Sequence, residues 1–293
     1  MVTVVIPAFN RIQLLARAVR SALHQTYQDI EVIVVDDGST EDVGGALEGF
    51  DDPRLSYSHR EENLGISAAR NRGVSMSHGE FVAFLDSDDE WREGKVSAQL
   101  ERMEALGSGF RACYTNLEFV DDTLGKTLKQ TRYHEEGDLR AFFLRYREIA
   151  SSLLMEKDAF EEAGGFDVRI DWGEDWDLYL RLAQISGYAC VEEPMTIYHL
   201  HGLGRVSDTL DKNPKIADSL MVLYDKNRDL FSKDQKARGS ILVDIGYYLA
   251  DSGRKRQALK PFLSSICHLP IQKAAYLSIA RLMKGWDSPV RET

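Results

Sequence analysis

Three carboxylates follow one short apolar segment of this chain. Phe81–Leu85 is apolar throughout, and Asp86, Asp88 and Asp89 come almost directly after it. Carboxylates at the end of a buried strand repel one another and resist the loss of solvent. A divalent cation offsets that cost, because oxygen ligands suit Mg²⁺ or Mn²⁺, which keep positions open for substrate phosphates. The segment therefore indicates a metal site that binds a diphosphate; the alternative is a solvated acidic turn before a helix.

Strands that alternate with helices must position these acids. The apolar pattern predicts strands at Val2–Ile6, Ile30–Val35, Arg54–Ser58 and Phe81–Leu85, and helices at Arg11–Gln25, Val43–Gly49 and Ser67–Ser77. This order is typical of right-handed βαβ units and a mostly parallel sheet. Ligands of such sheets bind beyond the carboxyl ends of the strands. Three polar loops are predicted at that edge: Pro7–Asn10, Asp36–Ser39 and Asp86–Asp89.

The rest of the chain divides into two parts. A further strand at Arg111–Asn116, a polar segment at Asp121–Gly137 and a helix at Glu174–Ser186 extend the α/β pattern. Beyond Asp211 the apolar spacing is helical, with turns at Ser252-Gly253 and Leu269-Pro270. We therefore expect an α/β domain over residues 1–210 and a helical region over 211–293.

The charge changes at the same place. The 293 residues carry a formal net charge of −11. Residues 1–210 hold 21 Lys or Arg and 38 Asp or Glu, a net −17, whereas residues 211–293 hold 15 and 9, a net +6. An acidic main domain argues against a nucleic-acid-binding protein.

The compartment is predicted from segments that are missing in the sequence. The N-terminal MVTVVIPAFN is too polar and too soon interrupted for a secretory signal peptide. No segment approaches the ~20 apolar residues of a membrane span. The three cysteines have neither metal-ligand spacing nor a disulfide framework. These features predict a cytoplasmic protein.

Six motifs within residues 1–210 resemble those of the family 2 glycosyltransferases, which have the GT-A fold. They are VVIPAFNR (Val4–Arg11), VVDDGST (Val34–Thr40), NLGISAARNRG (Asn63–Gly73), FLDSDDEW (Phe84–Trp91), GGFD (Gly164–Asp167) and GEDWDLYLRLA (Gly173–Ala183). The resemblance implies a Rossmann-like, mostly parallel sheet with helices on both faces, and the helical region over 211–293 lies outside it. It also implies transfer of a sugar from a nucleotide diphosphate with inversion at the anomeric carbon.

The resemblance implies partners as well. We expect a UDP-sugar as donor, and a hydroxyl of a glycan or lipid-linked acceptor in bacterial surface polysaccharide or glycoconjugate synthesis. The polar segment Asp121–Gly137 is expected to set the acceptor. The identities of the sugar and the acceptor stay open.

The resemblance assigns the nucleotide to the edge of the first strands. Asp37 is expected to accept from a uracil-type N–H, while Asp36 holds its loop through backbone N–H groups. Phe9 contacts the base, or else belongs to the core. Arg70 faces the diphosphate, or else pairs with an acid of the site. The full set of expected nucleotide-binding residues is Pro7, Ala8, Phe9, Asp37, Asn63, Arg70 and Asp86.

The remaining roles concern the metal and the proton. Asp88 is the expected ligand of Mn²⁺ or Mg²⁺, with His201 as a further ligand and His199 as its alternative. The segment Gly202–Ser207 departs from the usual Gly-Gly-x-x-Ser, which leaves the local loop geometry open. Asp175 is the expected general base, because inversion needs a base that deprotonates the acceptor hydroxyl as it attacks. Glu174 is its competitor, and otherwise binds the acceptor.

Some neighbouring residues receive other roles. Asp89 is expected to cap the helix that follows it. Trp176 either stacks on a sugar face or belongs to the core.

Other protein classes fit the sequence less well. A nucleotidyltransferase would carry a Gly-rich, basic loop after the first strand, where this chain has Pro7–Arg11 without glycine. A Rossmann dehydrogenase would carry G-x-G-x-x-G there. A non-catalytic sugar-binding module would lack the base, but Asp175 is present with its whole motif.

The role of the basic helical region stays open among three alternatives. It could cover the catalytic domain, form a homodimer interface, or hold the protein at the inner face of an anionic membrane.

Overall fold

The computed structural model describes residues 1–145, 149–201 and 214–284. The strands are β1 Val2–Ala8, β2 Ile30–Asp36, β3 Leu55–His59, β4 Phe81–Phe84, β5 Glu90–Trp91, β6 Phe110–Asp121, β7 Lys126–Gln130, β8 Leu154–Glu156 and β9 Gly187–Leu200. The helices are α1 Ile12–Leu23, α2 Val43–Leu47, α3 Ile66–Ser75, α4 Lys95–Leu106, α5 Arg140–Phe143, α6 Lys157–Glu162, α7 Glu174–Leu182, α8 Pro214–Lys226, α9 Arg228–Lys233, α10 Gln235–Asp251, α11 Lys255–His268 and α12 Lys273–Met283.

One mixed sheet contains all of these strands. Its order is β3-β2-β1-β4-β8-β6-β9-β5, and β7 pairs with β6. The first four strands of that order are mutually parallel, and β6 also runs parallel to β9. The pairs β4–β8, β6–β8, β5–β9 and β6–β7 are antiparallel. The predicted α/β class and the parallel order of the early strands are confirmed.

The early strands form because they are apolar enough to be buried. All seven residues of β1 are buried, and six of the seven in β2. Helix α1 covers them with Leu15, Ala18 and Val19, which lie on one side of the helix. A buried parallel strand reads as a continuous apolar run, so the sequence located these strands within one or two residues.

The later strands were missed for physical reasons. β8 has only three residues, and its apolar character does not distinguish it from a core turn. β9 extends over 14 residues, but Glu192, Glu193 and Pro194 interrupt its apolar run. Its register with β6 shifts around Asn116, which is paired with Pro194. The segment Asp121–Gly137, expected only as a polar excursion, contains the exposed strand β7.

The chain forms two compact units. One comprises Met1–Val168 and Glu174–Gly202, and the other Arg169–Gly173 and Leu203–Thr293, each described over the ranges given above. The expected domain boundary at 210/211 and the departing segment Gly202–Ser207 lie outside the described residues.

The second unit contains α8–α12. α10 and α11 are separated by the turn predicted at Ser252-Gly253, and α11 and α12 by the turn predicted at Leu269-Pro270. Gly246 allows α10 to approach α11 closely, because a Cβ there would lie 2.5 Å from the Phe262 ring. Ser265 Oγ donates to the Gly239 carbonyl across the same contact, at 2.9 Å. Over the described ranges, the helices are all too short or too polar to cross a bilayer.

Candidate active site

The register of the sheet brings the predicted polar loops together. β1 lies between β2 and β4, with Ala8 paired to Asp36 and Val5 to Phe84. The carboxyl ends of these three parallel strands therefore meet at one edge. Asn10 joins two of the loops, since its Oδ1 accepts from the Thr40 backbone N–H at 2.8 Å. The loops that follow β1, β2 and β4 therefore lie at one edge of the sheet, as the sequence predicted.

Arg70 connects the acids of two separate motifs. Its Nη2 donates to Asp86 Oδ1 at 2.6 Å, and its Nη1 donates to Glu174 Oε1 at 2.8 Å. The guanidinium is buried, with 1% of the side chain exposed. Although burial opposes the charge, the two carboxylates raise the pKa of Arg70. The sequence left open whether Arg70 faces the diphosphate or pairs with an acid of the site. In the structure it pairs with two such acids.

The GGFD motif holds Arg70 in place. The Phe166 ring lies under the guanidinium, with 5.0 Å between the ring centroid and the Arg70 Cζ. Asn71 fixes the backbone of Phe166 from both sides: its Nδ2 donates to the Phe166 carbonyl at 2.8 Å, and its Oδ1 accepts from the Phe166 N–H at 2.9 Å. Phe166 also packs edge-on against Phe84 of β4. The third and fifth motifs thus form a support for the bridging arginine.

Asp88 and His201 are in contact although 113 residues separate them. His201 Nε2 lies 3.1 Å from Asp88 Oδ2, and both side chains are largely buried. Arg11 Nη1 donates to the same carboxylate at 2.7 Å. Arg17 Nη2 donates to the Asp88 carbonyl at 3.1 Å. A carboxylate, an imidazole and two guanidinium groups therefore converge on this loop.

Asp88 and His201 together fit a divalent cation that takes its other ligands from a phosphate group. Asp88 supplies a carboxylate oxygen and His201 an imidazole nitrogen, and both are common metal ligands. Within the described ranges, no three His, Cys, Asp or Glu side chains converge to hold an ion on their own. The remaining ligands would have to come from substrate phosphates and water, as is usual for Mg²⁺ sites.

Asp175 has the environment of a base that works near neutral pH. Burial, together with the neighbouring Glu174, raises its pKa to about 7. Arg70 acts in the opposite direction, as does the backbone N–H of Trp176, which donates to Asp175 Oδ1 at 2.7 Å. The residue keeps partial exposure to solvent. Asp175 can therefore accept a proton near neutral pH while it stays partly open to solvent.

A second carboxylate organises the loop that follows β2. Asp37 is buried and accepts from the backbone N–H groups of Leu64 and Gly65, the latter at 2.7 Å. Arg60 Nη1 lies 3.7 Å from its other oxygen. Phe9 is 44% exposed, so the core interpretation of its ring is wrong. An exposed aromatic ring is a surface on which a planar ligand can stack.

The neighbouring acids and amides support these loops. Asp36 accepts from the Ser39 N–H at 2.9 Å, from Tyr57 and from His59, so it binds side chains as well as the expected backbone. Burial opposes its charge, but these hydrogen bonds lower the pKa of Asp36. Asn63 is exposed and its Oδ1 accepts from the Gly65 N–H at 3.1 Å. Pro7 and Ala8 are buried at the end of β1.

Ser151 is a buried residue of the site that the sequence did not reveal. Its Oγ accepts from the Asp86 N–H at 3.0 Å and donates to Asp89 Oδ2 at 2.7 Å. The expectation that Asp89 caps the next helix is therefore wrong. Its side chain is 1% exposed and accepts from Ser151 instead. Trp91 Nε1 donates to the Ser151 carbonyl at 2.8 Å. Ser151 thus fixes the backbone of the acidic loop.

His199 lies in a different cluster from His201. Its Nδ1 is 2.6 Å from Asp122 Oδ1, and its Nε2 is 3.0 Å from Glu90 Oε2. The hydrogen bond from His199 lowers the pKa of Glu90. Arg17 also pairs with Asp122, at 3.1 Å. With both ring nitrogens facing carboxylates, His199 links β9 to β5 rather than to Asp88.

Trp176 belongs to the core. It is 2% exposed, and its indole N–H donates to the Phe143 carbonyl. The stacking role considered for it is therefore wrong.

Comparison with known proteins decides the family. The model of the family described as "Glycosyl transferase family 2" matches residues 3–164. The chain belongs to glycosyl transferase family 2. The match covers the acids of the first four motifs and ends at Gly164, the first residue of GGFD.

Members of the family and of its fold resemble this chain over most of its length. WcaA of Escherichia coli (strain K12), whose name assigns it provisionally to colanic acid biosynthesis, is 28% identical over 240 residues, which cover 80% of this chain and 84% of WcaA. S. aureus TarS 1–349 in complex with UDP-GlcNAc superposes with a TM-score of 0.69 at 15% identity, covering 98% of this chain and 93% of TarS 1–349. The mannosyltransferase PcManGT from Pyrobaculum calidifontis, in complex with GDP-Man and Mn²⁺, gives 0.62 at 16%, covering 97% and 79%. These structures confirm the expected GT-A fold.

Proposed function

We propose that this family 2 glycosyltransferase moves a sugar from a nucleotide-diphosphate donor to an acceptor hydroxyl with inversion. The observation that carries the proposal is the bridge made by Arg70. It joins Asp86 of the acidic loop to Glu174 at the start of α7, next to Asp175. A donor-binding group and a proton acceptor are therefore held in one site, as inversion requires.

Asp175 acts as the general base. Its carboxylate takes the proton from the acceptor hydroxyl while the acceptor oxygen forms a bond to the anomeric carbon. The bond from that carbon to the phosphate oxygen breaks, and its electron pair leaves with the nucleoside diphosphate. Because attack and departure take place on opposite faces, the configuration inverts. The pKa of about 7 suits a base at neutral pH, since it is partly deprotonated there.

Glu174 has a supporting role in this proposal. One of its oxygens binds Arg70 at 2.8 Å, and its charge contributes to the raised pKa of Asp175. That Glu174 oxygen already accepts a hydrogen bond from the buried guanidinium, so it is occupied by a structural partner. This favours Asp175 as the base and leaves Glu174 to position the arginine and the acceptor.

Asp88 and His201 hold the metal in this proposal, and Arg11 faces the diphosphate. A bound Mn²⁺ or Mg²⁺ would neutralise charge that grows on the leaving phosphate. PcManGT was solved with Mn²⁺ and a nucleotide sugar, which supports a metal-assisted donor site in this fold. Arg11, at 2.7 Å from Asp88, adds a fixed positive charge beside that site.

The donor is a UDP-sugar, and the acceptor a glycan or lipid-linked hydroxyl. TarS binds UDP-GlcNAc, which supports the uridine nucleotide. The nucleobase is bound by Asp37, Phe9 and Asn63, and by the backbone of Pro7 and Ala8. Asp86 is available to the ribose while it pairs with Arg70. WcaA supports a polysaccharide pathway for the acceptor.

Release of nucleoside diphosphate tests the proposal without a known acceptor, because water can serve as one. We expect the full chain to hydrolyse a UDP-sugar slowly with Mn²⁺, and hydrolysis to fall to background with a chelator. The assay covers UDP-, GDP- and dTDP-sugars in parallel. Tight binding of a nucleotide sugar without any release, under all metals, would favour a sugar-binding module instead.

A further inference from the structure

The positive charge of the helical unit is concentrated in one segment. Residues 252–284, which we name the basic segment, contain seven Lys or Arg and no Asp or Glu, whereas residues 214–251 contain six of each. Arg254 pairs with Asp218 at 2.7 Å. The other six basic residues are exposed: Lys255, Arg256, Lys260, Lys273, Arg281 and Lys284.

The same segment exposes large apolar side chains. Within the described ranges, fourteen large hydrophobic residues are exposed, and six of them lie in this segment of 33 residues. Ile271 is 82% exposed and Met283 83%. The others are Leu259, Leu263, Tyr276 and Leu277. A concentration of this kind marks an interaction surface rather than ordinary surface composition.

The basic and the apolar residues share helix faces. On α11, Arg256, Leu259, Lys260 and Leu263 follow helical spacing and are exposed, while Ala258, Phe262 and Ser265 on the opposite side are buried.

α12 repeats this arrangement. Tyr276, Leu277 and Arg281 are exposed, as is Lys284 directly after the helix, while Ala275 and Ser278 are buried. α12 packs against α11. Each helix therefore turns a mixed cationic and apolar face to solvent.

We propose that the exposed faces of α11 and α12 bind the surface of an anionic lipid bilayer. Lys and Arg contact the headgroups, and the exposed Leu, Tyr and Met side chains of the helices, with Ile271 of the turn between them, enter the interface. This is the pattern of interfacial amphipathic helices. A second copy of the chain fits less well. A two-fold interface places the same patch against itself, so cationic faces without acids would oppose each other.

Co-sedimentation of the full chain with vesicles tests this proposal. Vesicles of phosphatidylcholine with one quarter phosphatidylglycerol are compared with phosphatidylcholine alone, at low and high salt. The triple variant K255Q/R256Q/K260Q is expected to weaken binding to the anionic vesicles by about tenfold or more. K226Q/K233Q/K236Q removes the same charge from exposed positions of α8–α10 and is expected to bind like the wild type. L263Q/L277Q is expected to lose the binding that persists at high salt.

Three outcomes would overturn the proposal. The first is that the wild type does not bind anionic vesicles at low salt. The second is that both triple variants weaken binding equally, which would reduce the effect to net charge. The third is a dimer, measured by light scattering without lipid, that L263Q/L277Q dissociates while vesicle binding is absent.

Discussion

Asp175→Asn should stabilise the protein, and more so as the pH rises. The ordinary pKa of an Asp side chain is 3.8, and burial with Glu174 raises that of Asp175 to about 7. Between these values the folded protein holds a proton that the unfolded chain has released. The free energy of unfolding therefore falls as the pH rises through this window, and the full penalty is present above pH 7. Asn carries no such charge, so the variant lacks this penalty.

The magnitude follows from the difference between the two pKa values. About three pKa units correspond to ~4 kcal/mol at pH 8, of which ~1.5 kcal/mol is already present at pH 5. Partial exposure of Asp175 screens the charge, so we expect the advantage of the variant to grow by ~2 kcal/mol between pH 5 and pH 8.

Denaturant unfolding of both proteins at pH 5 and pH 8 measures this growth. Asp158→Asn is the matched control, since Asp158 lies in the first turn of α6 but is exposed. The control should show no comparable growth. A difference between wild type and Asp175→Asn that stays constant over this pH range would refute a raised pKa at Asp175.

Three further predictions concern the rest of the site. Arg70→Ala should lower the free energy of unfolding by ~3 kcal/mol in a denaturant titration, since it leaves Asp86 and Glu174 without their buried partner; a loss below ~1 kcal/mol would contradict this. Ser151→Ala should raise the KM for donor severalfold, because the Asp86 N–H and Asp89 lose a hydrogen bond, while Ser152→Ala should not; equal effects would point to general destabilisation. UDP should raise the Tm more with Mn²⁺ than with chelator, and Asp88→Ala should abolish that increment; an undiminished increment would place the metal elsewhere.

The parts of the fold that the sequence predicted are those specified locally. β1, β2 and β4 are mostly apolar, and a parallel sheet brings the polar residues that follow them to one edge. β9 escaped prediction because two acids and a proline lie within it, and its burial depends on pairing with β6. The apolar pattern of a segment does not show which distant strand it pairs with.

The candidate site shows the same distinction at the level of side chains. Asp88 and His201, which the motifs predict to share a metal, lie in contact with each other, and their binding of a metal stays a prediction. The contact of Arg11 with Asp88 spans 77 residues, and that of Ser151 with Asp86 spans 65. Neither residue type nor spacing indicates these partners, since serine and arginine occur at many surface positions. Asp89 was misassigned for the same reason: its partner Ser151 is 62 residues away and lies outside the six motifs.

The most direct test of the account is the turnover of Asp175→Asn with a UDP-sugar and Mn²⁺. The substitution is nearly isosteric but removes the proton acceptor, so we expect turnover to fall by about 10²–10⁴-fold. The affinity for the donor, measured by calorimetry on the same samples, should stay nearly unchanged, because the donor-binding residues are intact. Turnover that survives within a few-fold of the wild type would contradict the account and leave Glu174 or another group as the base.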